Sequence, residues 1–341
     1  MTVPPARAGR AGVRLIVALA ALVLAAGLSS AAFANPVEIS AQPLPLSADR
    51  PAEMRVGRLD YRGGLALSAA DRRFGGFSAL SLSRDGSELL ALTRRGSWLK
   101  AKLRYDKDGR LIGIGEGEMG ALVGTDGRPL RRTLAKAMAA IPAGVLVAFG
   151  DTHRLWLYPA GDPPFGHKPA AFRQPPGLSD APRNGGISAL TRLNDGRILT
   201  IAEKLPAPGK EGAKANAAWV GGAPGWRTLS YQRTEAYLPT DAATLPPATR
   251  WEGGVVVTER SFNIVDGYSV RLALVPFDQI RPGHRMVATE LARFKRPLTL
   301  DNADGIAARR GPNGETLLYV ITNDNYSPVQ RTLLQMFELK E

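Results

Sequence analysis

Two positions of a motif that the chain writes five times carry the residues best able to do chemistry. The first position of the opening strand holds Ser78, Lys136, Ser188, Asp241 and Asp304. The position just past the second strand holds Arg94, Gly150, Glu203, Glu259 and Asn323. Equivalent positions of a radially repeated fold occupy equivalent places around its axis, so each set forms a candidate ring. Asp241, Asp304, Glu203 and Glu259 are carboxylates, with Asp301, Asp324 and Asn325 close by in the chain. Carboxylates converging on one axis repel each other, and burial raises their pKa unless positive charge is supplied. A metal ion is the usual source; Lys136 and Arg94 are fixed cations at equivalent positions. The sequence therefore predicts a half-acidic ring countered by two cations, with Ser78, Ser188, Asn323 and Asp324 as further channel positions.

Other chemistries are narrowed by composition. The chain has no Cys, which excludes disulfides, thiolate-bound zinc and a cysteine nucleophile. Its three histidines, His153, His167 and His284, leave few options for a multi-histidine metal site. Ser78 lies between Phe77 and Ala79, and Ser188 between Ile187 and Ala189, so neither sits in a Gly-x-Ser-x-Gly elbow. There is no haem or nucleotide signal, and no residue declares itself catalytic by motif.

The elements that must position these residues are clearest from Thr299 to Ser327. Asp304-Gly305-Ile306-Ala307 opens a strand, Pro312-Asn313-Gly314 turns, and Leu317 to Ile321 returns to a polar end at Thr322-Asn323-Asp324-Asn325. Upstream copies keep the same order. Their anchoring glycines, Gly86, Gly144, Gly196 and Gly253, recur with Gly314 about every 50–60 residues, the interval of propeller blades. Five copies, with unassigned strands at Arg55 to Leu67 and Thr332 to Leu339, predict an all-β, six-bladed β-propeller. The last blade is expected to form from those N- and C-terminal strands, which protects their edges. Pro206 to Pro224 reads as an inserted surface loop. A pair of sandwich domains would need a linker in mid-chain, and none is visible.

Residues 1–34 read as a signal peptide: Arg7, Arg10 and Arg14 precede the apolar run Leu15 to Leu28, and Ala32-Phe33-Ala34 is a cleavage pattern. That run is shorter than the roughly 20 residues that span a bilayer, so no membrane span is expected after cleavage. Residues 35–54 are an extended lead-in and 55–341 the propeller domain, in a periplasmic or secreted protein. The formal charge of +13 is spread through turns, without a basic block interleaved with aromatics, so nucleic acid is not expected as a partner. A small anionic ligand or an unknown protein partner is.

GGFSALSLSRDG, RGSWLKAKLRYDKDGRL, NGGISALTRLNDGRIL, YLPTDAATLP, VVVTERSF and DNADGIAARRGPNGETLLYVITNDNYSPVQRTLLQMF together resemble the bacterial phytase-like propeller family, often labelled "esterase-like activity of phytase family protein". The resemblance runs from about Arg55 to Leu339. It implies an exported propeller and a divalent-metal-dependent hydrolase of phosphate or related anionic esters. Calcium is then the implied metal, held by Asp241, Asp304, Glu203 and Glu259, because hard cations take several oxygen ligands. In the family both rings are mostly acidic, with Glu where this chain has Asp304. Lys136 and Arg94 depart from that pattern. The alternative is a non-catalytic binding or scaffolding propeller with a rewired, metal-poor centre.

Overall fold

Each repeat turns back between its first two strands at a glycine in the left-handed region: Gly86, Gly144, Gly196, Gly253 and Gly314 have φ of 76°, 139°, 90°, 71° and 90°. Side chains rarely adopt that conformation, so these glycines fix where each hairpin folds. The computed structural model describes residues 1–2, 34–130, 133–209, 212, 214–234, 236–247 and 251–340. Nearly all of the expected signal peptide lies outside the described residues. No described helix is long and apolar enough to cross a membrane.

Strands β1 (Ala34–Val37), β2 (Ser40–Pro43), β3 (Arg55–Val56) and β4 (Leu59–Ser68) precede the first full repeat. Blade I is β5 (Phe77–Leu82), β6 (Glu88–Thr93), β7 (Ser97–Tyr105) and β8 (Leu111–Ala121). Blade II is β9 (Ala135–Ile141), β10 (Gly144–Phe149), β11 (Leu155–Pro159) and β12 (Ala170–Phe172). Blade III is β13 (Ile187–Arg192), β14 (Ile198–Pro206), β15 (Ala215–Gly222) and β16 (Gly225–Gln232). Blade IV is β17 (Leu238–Thr244), β18 (Val255–Asn263), β19 (Gly267–Val275) and, after β20 (Arg285–Met286) has paired with β16, β21 (Thr289–Phe294). Blade V is β22 (Ala303–Arg310), β23 (Thr316–Thr322), β24 (Thr332–Leu339) and β4. The inner strands β5, β9, β13, β17 and β22 pack side by side in a closed ring.

The propeller therefore has five blades, not six. The closure was read correctly, because β24 pairs antiparallel with β4. The count was wrong because these two strands complete the fifth repeat: β24 also pairs with β23, from Thr316↔Leu339 to Ile321↔Leu334. Five separate apolar cores agree, one at each seam between blades. Alternation along β23 shows the cause: Leu317, Tyr319 and Ile321 enter the seam with blade I, while Leu318 and Val320 enter the seam with blade IV. The expected loop Pro206 to Pro224 also needs correction, since it contains β15, whose residues Ala215 to Val220 are buried.

The lead-in does more than extend. β1 adds to the outer edge of blade I through β8, and β2 adds to the outer edge of blade V through β4. One short segment thus laces both sides of the seam where the ring closes. Truncation before Thr332 removes Leu333, Leu334, Met336 and Phe337, all fully buried, and bares the edges of β4 and β23. We expect that truncation to abolish cooperative thermal unfolding; a soluble product with an unchanged melting temperature would show that the ring closes by other contacts.

Candidate functional site at the channel mouth

Every inner strand begins with a β-bulge. The ladder skips one residue between Phe77 and Ala79, Ala135 and Ala137, Ile187 and Ala189, Pro239 and Asp241, and Ala303 and Gly305. A bulge re-aims the side chain that loses its partner. Those residues are Ser78, Lys136, Ser188, Thr240 and Asp304. Four match the expected ring, but in the fourth repeat the residue is Thr240 and not Asp241. The residues that follow the partner of each pre-bulge residue are Arg94, Gly150, Glu203, Arg260 and Asn323, so Arg260 takes the place expected of Glu259. A slip of one residue exchanges the two faces of a strand, which is why both acids of the fourth repeat were misassigned together.

Three bulge residues fasten one blade to the next. Ser78 donates its hydroxyl to the carbonyl of Ala135 (3.0 Å), Ser188 to that of Pro239 (2.7 Å), and Thr240 to that of Ala303 (3.1 Å). The acceptors are themselves equivalent, each preceding the bulge of the following blade. In the other two blades the bulge residue is charged. Lys136 reaches from blade II to Glu203 of blade III, Nζ to Oε2 at 2.6 Å, and to Asn184 Oδ1 at 3.1 Å. Asn184 also accepts from Arg94 at 3.2 Å. Asp304 accepts from Arg260 of blade IV at 2.7 Å and from Asn323 of its own blade at 2.6 Å. Arg260 donates as well to Asn302, whose amide donates to the Asn323 carbonyl.

Lys136, Glu203 and Asp304 are buried. Burial pushes the Lys136 ammonium below its ordinary pKa, the Glu203 carboxylate pulls it back up, and the neighbouring Arg94 charge lowers it further. Two side-chain networks result, one joining blades I, II and III and the other blades IV and V, with Asp304 acting electrostatically on Lys136.

The other acids lie apart. Asp241 occupies the place of Ala79, Ala137, Ala189 and Gly305, and accepts amides from Ala242 (2.9 Å) and from Ile306 of blade V (3.0 Å). Burial raises its pKa well above the usual carboxylate range, although these amides oppose the shift. Glu259 points into the seam between blades III and IV, where it accepts from Tyr231 (2.8 Å) and Arg271. Asp324 accepts from the Gly76 amide (2.7 Å), the Tyr326 amide (2.9 Å) and the Thr332 hydroxyl (2.9 Å), tying blade V to blade I. His153 has its Nε2 2.9 Å from the Ala181 carbonyl.

Asp241, Asp304, Glu203 and Glu259 therefore face four different sets of partners. Calcium needs six to eight oxygens around one point. Among the described residues, no group of three or more His, Asp or Glu side chains is gathered to hold a metal. The donor set does not fit the ion: Lys136 and Arg260 already neutralise the two acids at the mouth.

A family model described as "Phytase-like: Esterase-like activity of phytase" matches residues 72–326. The chain belongs to this phytase-like family. Among solved structures, the phytase-like chain is similar to a luciferin-regenerating enzyme (10% identity, 79% of this chain and 95% of that one, TM-score 0.41). It is also similar to the Cps50 (Swd1) β-propeller domain of Myceliophteria thermophila (10%, 89% and 100%, 0.38) and to glutaminyl cyclase of Myxococcus xanthus (11%, 84% and 97%, 0.38). No curated protein matches it.

Sequence reasoning missed Arg260, Asn184 and Asn302. Arg260 was within reach, because counting back five residues from the strand-end leucines Leu193 and Leu245 aligns Ser188 with Thr240. Asn184 and Asn302 lie in loops outside the repeat, where spacing carries no signal. Removing one member of a buried ion pair leaves the other uncompensated and costs about 3–5 kcal/mol. Lys136→Met should therefore lower the melting temperature sharply, and Lys136→Met with Glu203→Gln should recover much of the loss. Equal melting temperatures for the natural chain and Lys136→Met would mean that the pair is not formed.

Proposed function

We propose that this exported phytase-like propeller binds a small anionic ligand at its mouth face without a divalent metal, and does not hydrolyse phosphate esters through calcium. The observation that carries this reading is the pair of ionic contacts Lys136–Glu203 and Arg260–Asp304. Each supplies, from a side chain, the positive charge that a metal would bring. Phosphoryl transfer by metal catalysis needs an ion with open positions that can polarise the ester and activate water. Acids bonded to fixed cations do not present those positions.

Positive charge is in surplus beside the same cluster. A cleft of about 900 Å³ borders Glu203 between blades III and IV, and Lys204, Lys214 and Arg233 line it with Asn216, Thr234 and Tyr237. Its volume suits a small ligand. Glu203 is the one carboxylate among its described lining residues, and it is held by Lys136. Lysine ammonium and arginine guanidinium groups recognise carboxylate and phosphate oxygens through charge-assisted hydrogen bonds.

Calcium should leave the melting temperature of the natural protein unchanged, and p-nitrophenyl phosphate should not be hydrolysed faster with calcium than without. Inorganic pyrophosphate should bind by calorimetry, and Lys204→Gln with Lys214→Gln should weaken it about tenfold, the loss of roughly 1.4 kcal/mol. Strong calcium stabilisation, or calcium-dependent turnover, would restore the hydrolase reading.

Export rests on the leader pattern described above. Cleavage after Ala34 leaves Asn35, Pro36 and Val37 paired with Met119, Glu118 and Gly117, so blade I keeps its outer strand. N-terminal sequencing of protein from its native host is expected to begin at Asn35; an intact Met1 would refute cleavage.

A further inference from the structure

Turns between strands are ordinarily polar, but the β18–β19 turn presents apolar side chains to solvent. Ile264 is 93% exposed, Val265 83% and Phe262 61%. The turn is not loose. Asn263 Oδ1 accepts the amides of Val265 (2.9 Å) and Asp266 (2.7 Å), while its Nδ2 donates to the Asp266 carboxylate (3.0 Å). Phe262 packs on Tyr268 below, with ring centroids 4.8 Å apart. Two β-branched residues are thus held outward on a clasped tip, with no folding contact that explains them.

The tip belongs to a larger face. Second strands run toward the mouth, where Arg260 and Asn323 lie, so the β18–β19 and β23–β24 connections leave from the same side. The second of these connections carries Val329, 87% exposed. Four of the six described large apolar residues that are exposed beyond Met1 are therefore on this side of blades IV and V. Basic residues lie at the same end of these blades. The Arg296 guanidinium lies 3.7 Å from where a Cβ on Gly267 would be, at the foot of the turn. Arg296 and Arg331 both act electrostatically on Asp301, and Lys295 is exposed beside Arg296.

We propose that this face of blades IV and V docks on an anionic lipid bilayer, inserting Ile264, Val265 and Val329 while Lys295, Arg296 and Arg331 meet the headgroups. Apolar tips collared by cations bind such interfaces through buried area and charge together. A pocket for a soluble ligand would need concave walls, whereas this feature projects. The net positive charge of the chain favours the same surface.

Co-sedimentation of the mature chain with vesicles of phosphatidylcholine plus phosphatidylglycerol, against phosphatidylcholine alone, tests the proposal. The natural chain is expected to pellet with the anionic vesicles and to be released by salt. Ile264→Ser with Val265→Ser should weaken binding about tenfold or more, because two buried aliphatic side chains are lost. Lys295→Gln with Arg296→Gln should remove much of the salt dependence. All four residues are exposed, so unchanged melting temperatures would verify that the fold is kept. Failure of the natural chain to pellet with either vesicle would overturn the proposal, as would equal binding by the Ile264→Ser, Val265→Ser chain. A self-association that the same double substitution abolishes, without vesicle binding, would assign the tip to a second copy of the chain and also overturn it.

Discussion

A closed ring of blades leaves every innermost strand with one edge that no neighbouring strand pairs, so the five seams must be fastened by side chains. The bulges that open the inner strands meet this constraint at four seams, and Asp324 meets it between blades V and I. Each bulge frees one residue from the ladder and turns it toward a neighbouring blade. Where that residue is Ser78, Ser188 or Thr240, a hydroxyl reaches a carbonyl across the seam. Where it is Lys136 or Asp304, an ion pair bridges blades instead. The residues that resemble a catalytic ring are therefore also the fasteners of the fold.

That double role limits what the mouth can do. A carboxylate free to take a metal must be kept apart from fixed cations, yet a buried carboxylate without a partner is costly. Glu203 and Asp304 are resolved in favour of pairing. Asp241 is satisfied by backbone amides deeper in the ring, and Glu259 by Arg271 and Tyr231 in another seam. Polarity remains at the mouth, but it is spent on holding the blades together, and the surplus charge moves outward to the cleft lined by Lys204, Lys214 and Arg233.

Much of this was legible in the sequence. The five turn glycines and the alternating strands after them are local signals, and they located every blade. Counting blades failed because Thr332 to Leu339 looked unassigned when viewed alone; only pairing with both β23 and β4 shows that it completes the fifth repeat. The ring was legible in four repeats of five. In the fourth, the expected position is Asp241, whereas counting back from Leu245 as from Leu193 selects Thr240. Asn184 and Asn302 could not be read, since their roles come from loops brought to the mouth by the ring itself. The lead-in concealed two strands because its prolines at Pro36 and Pro43 suit outer edges as well as they suit irregular chain.

Blade V joins β4, made early, to β22, β23 and β24, made last. During synthesis from the N-terminus, blades I to IV can form in order while β2, β3 and β4 wait without their partner. The seam that closes the molecule is thus also the last in time, and until β24 emerges the growing chain carries two open sheet edges, β4 and β23, about 250 residues apart in sequence, a separation that slows closure and leaves those edges open to other chains.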